Sequence, residues 1–80
     1  MEANYLLKGK RVSINKTQAE IAEYLEMHKS AYAMKERGLR RFTLPEVEKL
    51  SVLFKLSPVE VIQIFLPTLF TQKEQNNKPV

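Results

Sequence analysis

Three copies of one short pattern, a serine or threonine followed three residues later by glutamate, fix where helices begin in this chain. The hydroxyl accepts a hydrogen bond from the backbone of the third residue, and the glutamate accepts one from the backbone of the first, so the pattern predicts a helix start. The three pairs are Thr17 and Glu20, Thr43 and Glu46, and Ser57 and Glu60. Together with the spacing of the apolar residues, these starts predict short helices joined by tight turns.

The spacing of apolar residues extends these starts into an all-α fold, a bundle of five helices without strands. The predicted helices cover residues 4–13, 17–25, 29–37, 44–55 and 58–66. The second and third are separated by only three residues, which is typical of a helix-turn-helix. We expect residues 1–66 to form one domain. Residues 67–80 are predicted to be a C-terminal tail, partly disordered or taking part in a dimer.

Single residues predict further details of the helix ends. Asn4 is suited to cap the first helix, and Asn15 fits a turn or a left-handed position after it. Gly38 fits the left-handed position that ends the third helix. Pro67 follows the fifth helix, which we expect to stop before it.

Composition excludes several classes of site. The chain has no cysteine, and its one histidine is His28, so neither a disulfide nor a cysteine-ligated zinc site can form. It has no aspartate either, and a nucleophile, a base and an orienting group cannot be assembled from what remains. We therefore predict no metal, no cofactor and no enzymatic activity. Without a long apolar run or a secretory signal, the protein is predicted to be cytoplasmic.

The positive charge is unevenly placed. The net charge is +4, and nine of the 13 basic residues form an early and a middle group, whereas most acidic residues lie elsewhere. The early group is Lys8, Lys10, Arg11 and Lys16, and the middle group is Lys29, Lys35, Arg37, Arg40 and Arg41. A basic side on a small domain indicates a polyanionic partner. On charge alone, scattered solubilising lysines remain an alternative.

Four segments together resemble the helix-turn-helix domain of phage repressors and Xre-type regulators, especially short phage or prophage regulators of low-GC Gram-positive bacteria. They are LKGKRV, TQAEIAEYL, KSAYAMKERG and FTLPEVEKLSVLF. The resemblance implies a lambda-repressor-like fold whose third helix enters the major groove of double-stranded DNA. It further implies a sequence-specific transcriptional regulator, repressor-like, that acts as a homodimer on a palindromic operator.

The same resemblance assigns the DNA contacts. Gln18 would reach a phosphate and support the third helix, unless it is only a solvated first-turn residue. Base edges would be read by Lys29, Ser30, Ala33 and Met34, with packing at the core edge or a dimer contact as the alternative for Met34. Phosphates would be bound by Arg37, Arg40 and Arg41, the alternative being a solvated basic loop. Lys10 and Lys16 are further phosphate candidates.

The resemblance also implies structural roles and two departures from the family pattern. Arg11 and Glu36 match a partly buried ion pair, and Tyr32 takes an inward, usually aliphatic position. Glu26 stands where the family usually has glycine, so a left-handed turn there would be strained. Lys35 replaces an aliphatic or aromatic residue, and we expect its stem to cover the core while its ammonium reaches solvent.

The C-terminal segment VEVIQIFLPTLF carries more apolar residues than one helical face can use. We predict a twofold dimer contact through Ile62, Leu66, Leu69 and Phe70, the alternative being that the domain folds them into its own core. The segment could also receive a protein partner. In that case the chain would be an antitoxin that neutralises a toxin and regulates its own promoter.

Overall fold

The computed structural model describes residues 5–66, and within this range it contains five helices and no strand. They are α1 at Tyr5–Ser13, α2 at Gln18–Tyr24, α3 at Lys29–Glu36, α4 at Leu44–Leu53 and α5 at residues 58–66. The predicted all-α fold is thus confirmed. The predicted cap at Asn4, the stop at Pro67 and the tail lie outside the described residues.

The three predicted capping boxes are all formed. At α2, the Thr17 hydroxyl accepts from the Glu20 backbone at 3.1 Å, and the Thr17 backbone donates to the Glu20 carboxylate at 2.8 Å. The same reciprocal bonds join Thr43 to Glu46 and Ser57 to Glu60. The start of α3 is different, because its N-cap residue His28 makes no side-chain hydrogen bond to the helix.

Helices α1 to α4 all end in the same way, with a residue in the left-handed conformation. These residues are Asn15, Glu26, Gly38 and Lys55, with φ angles of 58°, 60°, 85° and 54°. After α2, for example, the Met27 amide donates to the Ala22 carbonyl at 2.9 Å, which satisfies a carbonyl that the helix leaves open. The positive φ angles of Asn15 and Gly38 confirm the conformations predicted for these two residues. The helices α2, α3 and α4 stop one or two residues before their predicted ends, because the last predicted residues belong to these turns.

Replacing Glu26 with glycine should raise the free energy of unfolding by about 1 kcal/mol, because glycine adopts a positive φ without the steric cost of a Cβ atom. Urea unfolding followed by circular dichroism measures the change. The control is Glu23→Gly, which removes the same charge from the exposed surface of α2, where glycine should cost about 1 kcal/mol. If both variants lose stability, the turn at Glu26 is not strained.

Every helix contributes to one core. Its buried apolar residues are Leu7, Ile21, Ala22, Leu25, Tyr32, Leu50, Phe54, Ile64 and Phe65. The ring of Phe42 lies between α3 and α5, with its centroid 6.1 Å from that of Tyr32 and 5.6 Å from that of Phe65. The inward side of α3 is therefore fixed to the core, and its other side is left for contacts outside the domain.

Candidate nucleic-acid interface

Helices α2 and α3 pack against each other and are joined by a turn at residues 25–28. Glu26 has a left-handed conformation there, and the Leu25 amide still bonds to the Ile21 carbonyl at 3.0 Å. The Tyr32 amide then bonds to the His28 carbonyl at 3.0 Å and starts α3. Short backbone bonds thus fix the direction in which α3 leaves the turn, which is the arrangement predicted for a helix-turn-helix.

The predicted base-reading residues of α3 differ in exposure. Lys29 and Ser30, at the start of the helix, are exposed. Ala33 and Met34, one turn further, are half-buried, and Arg37 is again exposed at the C-cap. The helix therefore presents polar groups at both ends of its outer side and an apolar surface between them.

Two more arginines follow α3 in the loop before α4. Arg40 and Arg41 are both exposed, between the left-handed Gly38 and the half-buried Phe42. They lie close in sequence to Arg37, so positive charge is concentrated at the C-terminal end of α3. Exposed guanidinium groups are well suited to phosphate, because their donors match its oxygens in pairs.

Behind the exposed side of α3, Arg11 and Glu36 form a buried ion pair between α1 and α3. The Arg11 Nε atom is 2.7 Å from Glu36 Oε2, and the Nη2 atom is 3.2 Å from Oε1. A third Arg11 nitrogen, Nη1, donates to the Lys16 carbonyl at 2.8 Å. One guanidinium therefore fixes α3 to α1 and to the turn between α1 and α2.

Two neutral donors complete the surroundings of the Glu36 carboxylate. Gln18 Nε2 donates to Oε1 at 2.9 Å, and the Tyr32 hydroxyl donates to Oε2 at 2.9 Å. Sequence reasoning placed Tyr32 in the core but missed its hydroxyl bond, for which the only signal is the four-residue spacing to Glu36 on one helix face. Because an amide nitrogen carries two hydrogens, Gln18 can hold Glu36 with one and reach a phosphate with the other.

These contacts set the protonation of the network. Burial opposes ionisation of Glu36, but hydrogen bonds from Arg11, Gln18 and Tyr32 outweigh it and hold the pKa of Glu36 below its ordinary value. The hydrogen bond to Glu36 raises the pKa of Arg11 despite burial. Burial, together with the neighbouring carboxylate, raises the pKa of Tyr32. At neutral pH the network therefore holds one cation, one anion and a phenol that remains a donor.

Lys35 does not follow its prediction. Its side chain is only 12% exposed, and its Nζ atom is 2.7 Å from Glu46 Oε1 on α4 instead of in open solvent. The ammonium also lies 5.9 Å from the centroid of the Phe42 ring. The expectation that the ammonium reaches solvent is wrong because a partly buried carboxylate is within reach. The same carboxylate closes the predicted capping box of α4, and its ion pair with Lys35 is a second role that the sequence did not indicate.

Among the remaining predicted residues, Lys10 lies on α1, and Ile62 and Leu66 lie on α5. Lys10 pairs with Glu60 and links α1 to α5, so its ammonium has an intramolecular partner. On α5, Ile62 is 50% exposed and Leu66 is half-buried. The other two predicted dimer residues, Leu69 and Phe70, lie outside the described residues.

Residues 5–66 hold no cluster of histidine or acidic side chains arranged to bind a metal ion. In that range, no helix is both long and apolar enough to cross a membrane.

Comparison with known protein families gives a match. A family model described as helix-turn-helix matches residues 7–61, which runs from α1 into α5 and includes the turn between α2 and α3. No curated protein and no solved structure matches the chain. The match covers well over half of the sequence and agrees with the packing of α2 against α3. The chain therefore belongs to the Xre-like helix-turn-helix family of DNA-binding regulators.

Proposed function

We propose that this protein is a sequence-specific, repressor-like transcriptional regulator that places α3 in the major groove of operator DNA. The observation that supports the proposal is the difference in burial between the two sides of α3. Its inner side is held by Tyr32 and the buried Glu36, whereas Lys29, Ser30 and Arg37 are exposed. A major groove admits one α-helix, and a helix fixed from behind can present its outer side there reproducibly. Such a regulator would work in the cytoplasm, where a bacterial genome lies.

The proposed base contacts come from the first two turns of α3. Lys29 can donate to guanine O6 and N7, and Ser30 can bond to several bases. Ala33 offers only a methyl group, which suits a thymine methyl, and half-buried Met34 contributes shape more than hydrogen bonding. We therefore expect few direct base contacts and a marked dependence on groove shape.

The proposed phosphate contacts surround this helix. Arg37, Arg40 and Arg41 would bind the backbone from the C-terminal end of α3, and Gln18 would bind it from the start of α2. Contacts of this kind fix the register of the protein on DNA and supply affinity without reading sequence. Long-range attraction by the net charge of +4 would assist the encounter.

The proposed active form is a homodimer. Two copies of α3 would enter successive major grooves about 34 Å apart, so the operator would be palindromic. The contact would use Ile62 and Leu66 of α5, of which Ile62 is half exposed, together with Leu69 and Phe70 beyond the described residues.

Selection from random duplex oligonucleotides tests the proposal most directly. We expect an enriched motif made of two inverted half-sites, each short because few side chains of α3 can bond to bases. A motif without symmetry would reject the homodimer but leave DNA reading intact. Enrichment of no motif at all would reject sequence-specific regulation.

Removing both loop arginines should weaken binding to every duplex by a similar factor. In Arg40→Ala/Arg41→Ala, loss of two phosphate contacts should lower affinity about 30-fold at physiological salt and reduce the log–log salt slope by about 2. Fluorescence anisotropy on the selected duplex and on random duplex measures both quantities. The control, Lys49→Ala/Lys55→Ala, removes the same charge from the exposed surface of α4 and from the turn after it. Equal salt slopes in the two double variants would show that the loop arginines do not contact phosphate.

A further inference from the structure

The ion pair between Lys35 and Glu46 closes the loop that joins α3 to α4. Lys35 lies in the last turn of α3 and Glu46 in the first turn of α4. Their charged atoms are 2.7 Å apart, and the two side chains are only 12% and 18% exposed. Water therefore screens this contact less than it screens a surface pair. It ties the end of one helix to the beginning of the next.

Phe42 fixes this ion pair to the core. The ammonium of Lys35 lies 5.9 Å from the centroid of the Phe42 ring, close enough for a cation–π attraction. The same ring also packs against Tyr32 of α3 and Phe65 of α5. The pair is thus part of a packed unit and not a mobile surface contact.

The loop is held at both ends, with the arginines between. At its start, left-handed Gly38 lets the Leu39 amide bond to the Met34 carbonyl at 2.8 Å. At its end, the Thr43 backbone amide donates to the same Glu46 Oε1 atom that pairs with Lys35, at 2.9 Å. Arg40 and Arg41 are exposed in the short stretch between these two fixed points.

We propose that Lys35 and Glu46 are positioning residues for phosphate binding, holding the loop so that Arg40 and Arg41 meet the DNA backbone without further ordering. This inference rests on the proposed function, because it assumes that the loop arginines bind phosphate. Neither positioning residue contacts DNA itself. A preformed loop raises affinity because the conformational freedom of its backbone is lost on folding instead of on binding.

Glu46→Gln separates positioning from general electrostatics. Glutamine can still complete the capping box, so the start of α4 is kept while the ion pair is lost. The substitution also removes a negative charge, and general electrostatics alone would therefore tighten binding to DNA. We expect the opposite, an affinity about fivefold lower at physiological salt, which corresponds to the loss of about one phosphate contact.

Glu48→Gln is the matched control, because Glu48 is an exposed glutamate two residues further along α4 and the change in net charge is the same. It should bind duplex as tightly as the native protein or slightly more tightly. Urea unfolding of both variants establishes that they are fully folded under the binding conditions. If Glu46→Gln binds as tightly as Glu48→Gln, the inference is wrong although the proposed function stands.

Two further measurements test whether the effect passes through the arginines. Lys35→Met should weaken binding, and Lys35→Arg, which can still reach Glu46, should restore it. In the Arg40→Ala/Arg41→Ala background, Glu46→Gln should have no further weakening effect. A full fivefold loss in that background would mean that the pair acts elsewhere and would overturn the inference. Failure of the native protein to bind any duplex would overturn the inference and the proposed function together.

Discussion

Replacing Glu36 with alanine should lower the free energy of unfolding by about 3–5 kcal/mol, because it leaves the Arg11 guanidinium buried without its partner. Glu36 is 4% exposed and Arg11 9%. The substitution also removes the acceptor of the Gln18 and Tyr32 bonds. A domain of this size has a total stability of about 4–12 kcal/mol, so the variant should be largely destabilised. Urea unfolding followed by circular dichroism measures the loss.

Two comparisons identify the buried charge as the cause. Glu48→Ala removes an exposed glutamate and should change stability by less than about 0.5 kcal/mol. Arg11→Met/Glu36→Met removes both charges and should be more stable than Glu36→Ala, because no unpaired charge is left in the core. If the double variant loses as much stability as Arg11→Met and Glu36→Met lose together, this account is contradicted.

Low pH should remove the contribution of the Glu36 carboxylate to the free energy of unfolding. The folded-state pKa of Glu36 lies below its ordinary value of 4.5, so the carboxylate stabilises the fold above that value, and this is lost as the pH falls through the folded-state pKa. The stability difference between the native protein and Glu36→Ala should therefore be constant near neutral pH and shrink below about pH 4.5. A difference that stays unchanged at low pH would show that the charge of Glu36 is not the stabilising group.

The local features of this fold could be predicted from the sequence because they depend on a few adjacent residues. A hydroxyl and a glutamate three residues apart are sufficient for a capping box, and all three formed. The left-handed positions of Asn15 and Gly38 follow from residue types that favour them. Lys55 was missed, because lysine has no such preference and is held there by the backbone bonds at the end of α4.

The non-local contacts behind α3 could not be derived in this way. Arg11 and Glu36 are 25 residues apart, and only the family resemblance paired them. Nothing local connects Lys35 to Glu46, 11 residues away, or gives Glu46 a second role beside its capping box. Such contacts depend on how helices cross, which periodicity does not specify. The exposed side of α3 was easier to predict. A helix face that lacks a stripe of apolar residues is expected to point away from the core.

Lys29 connects the stability of α3 with its proposed function. The N-terminal end of a helix carries a partial positive charge, and a cation there is unfavourable by about 0.3–1 kcal/mol. Lys29 is exposed at this position, and the His28 side chain offers no hydrogen bond to the same end. The start of α3 therefore carries an unfavourable positive charge and has no side-chain cap in the isolated protein. The negative charge of an approaching polyanion would offset this positive charge.

Replacing Lys29 with alanine should consequently weaken the preference for the selected duplex without lowering the stability of the fold. The variant should be as stable as the native protein or more stable, while its preference for the selected duplex over random duplex should fall by about 1–3 kcal/mol, the worth of a good base contact. Ser30→Ala should reduce the preference at a neighbouring base pair, and Arg40→Ala/Arg41→Ala should leave the ratio unchanged while lowering both affinities. Competition anisotropy against single-base variants of the motif measures these ratios.

Equal losses on selected and random duplex for Lys29→Ala would assign Lys29 to phosphate instead of a base edge. The sequence preference would then have to come from Ser30, the apolar surface of Ala33 and Met34, and the shape of the groove.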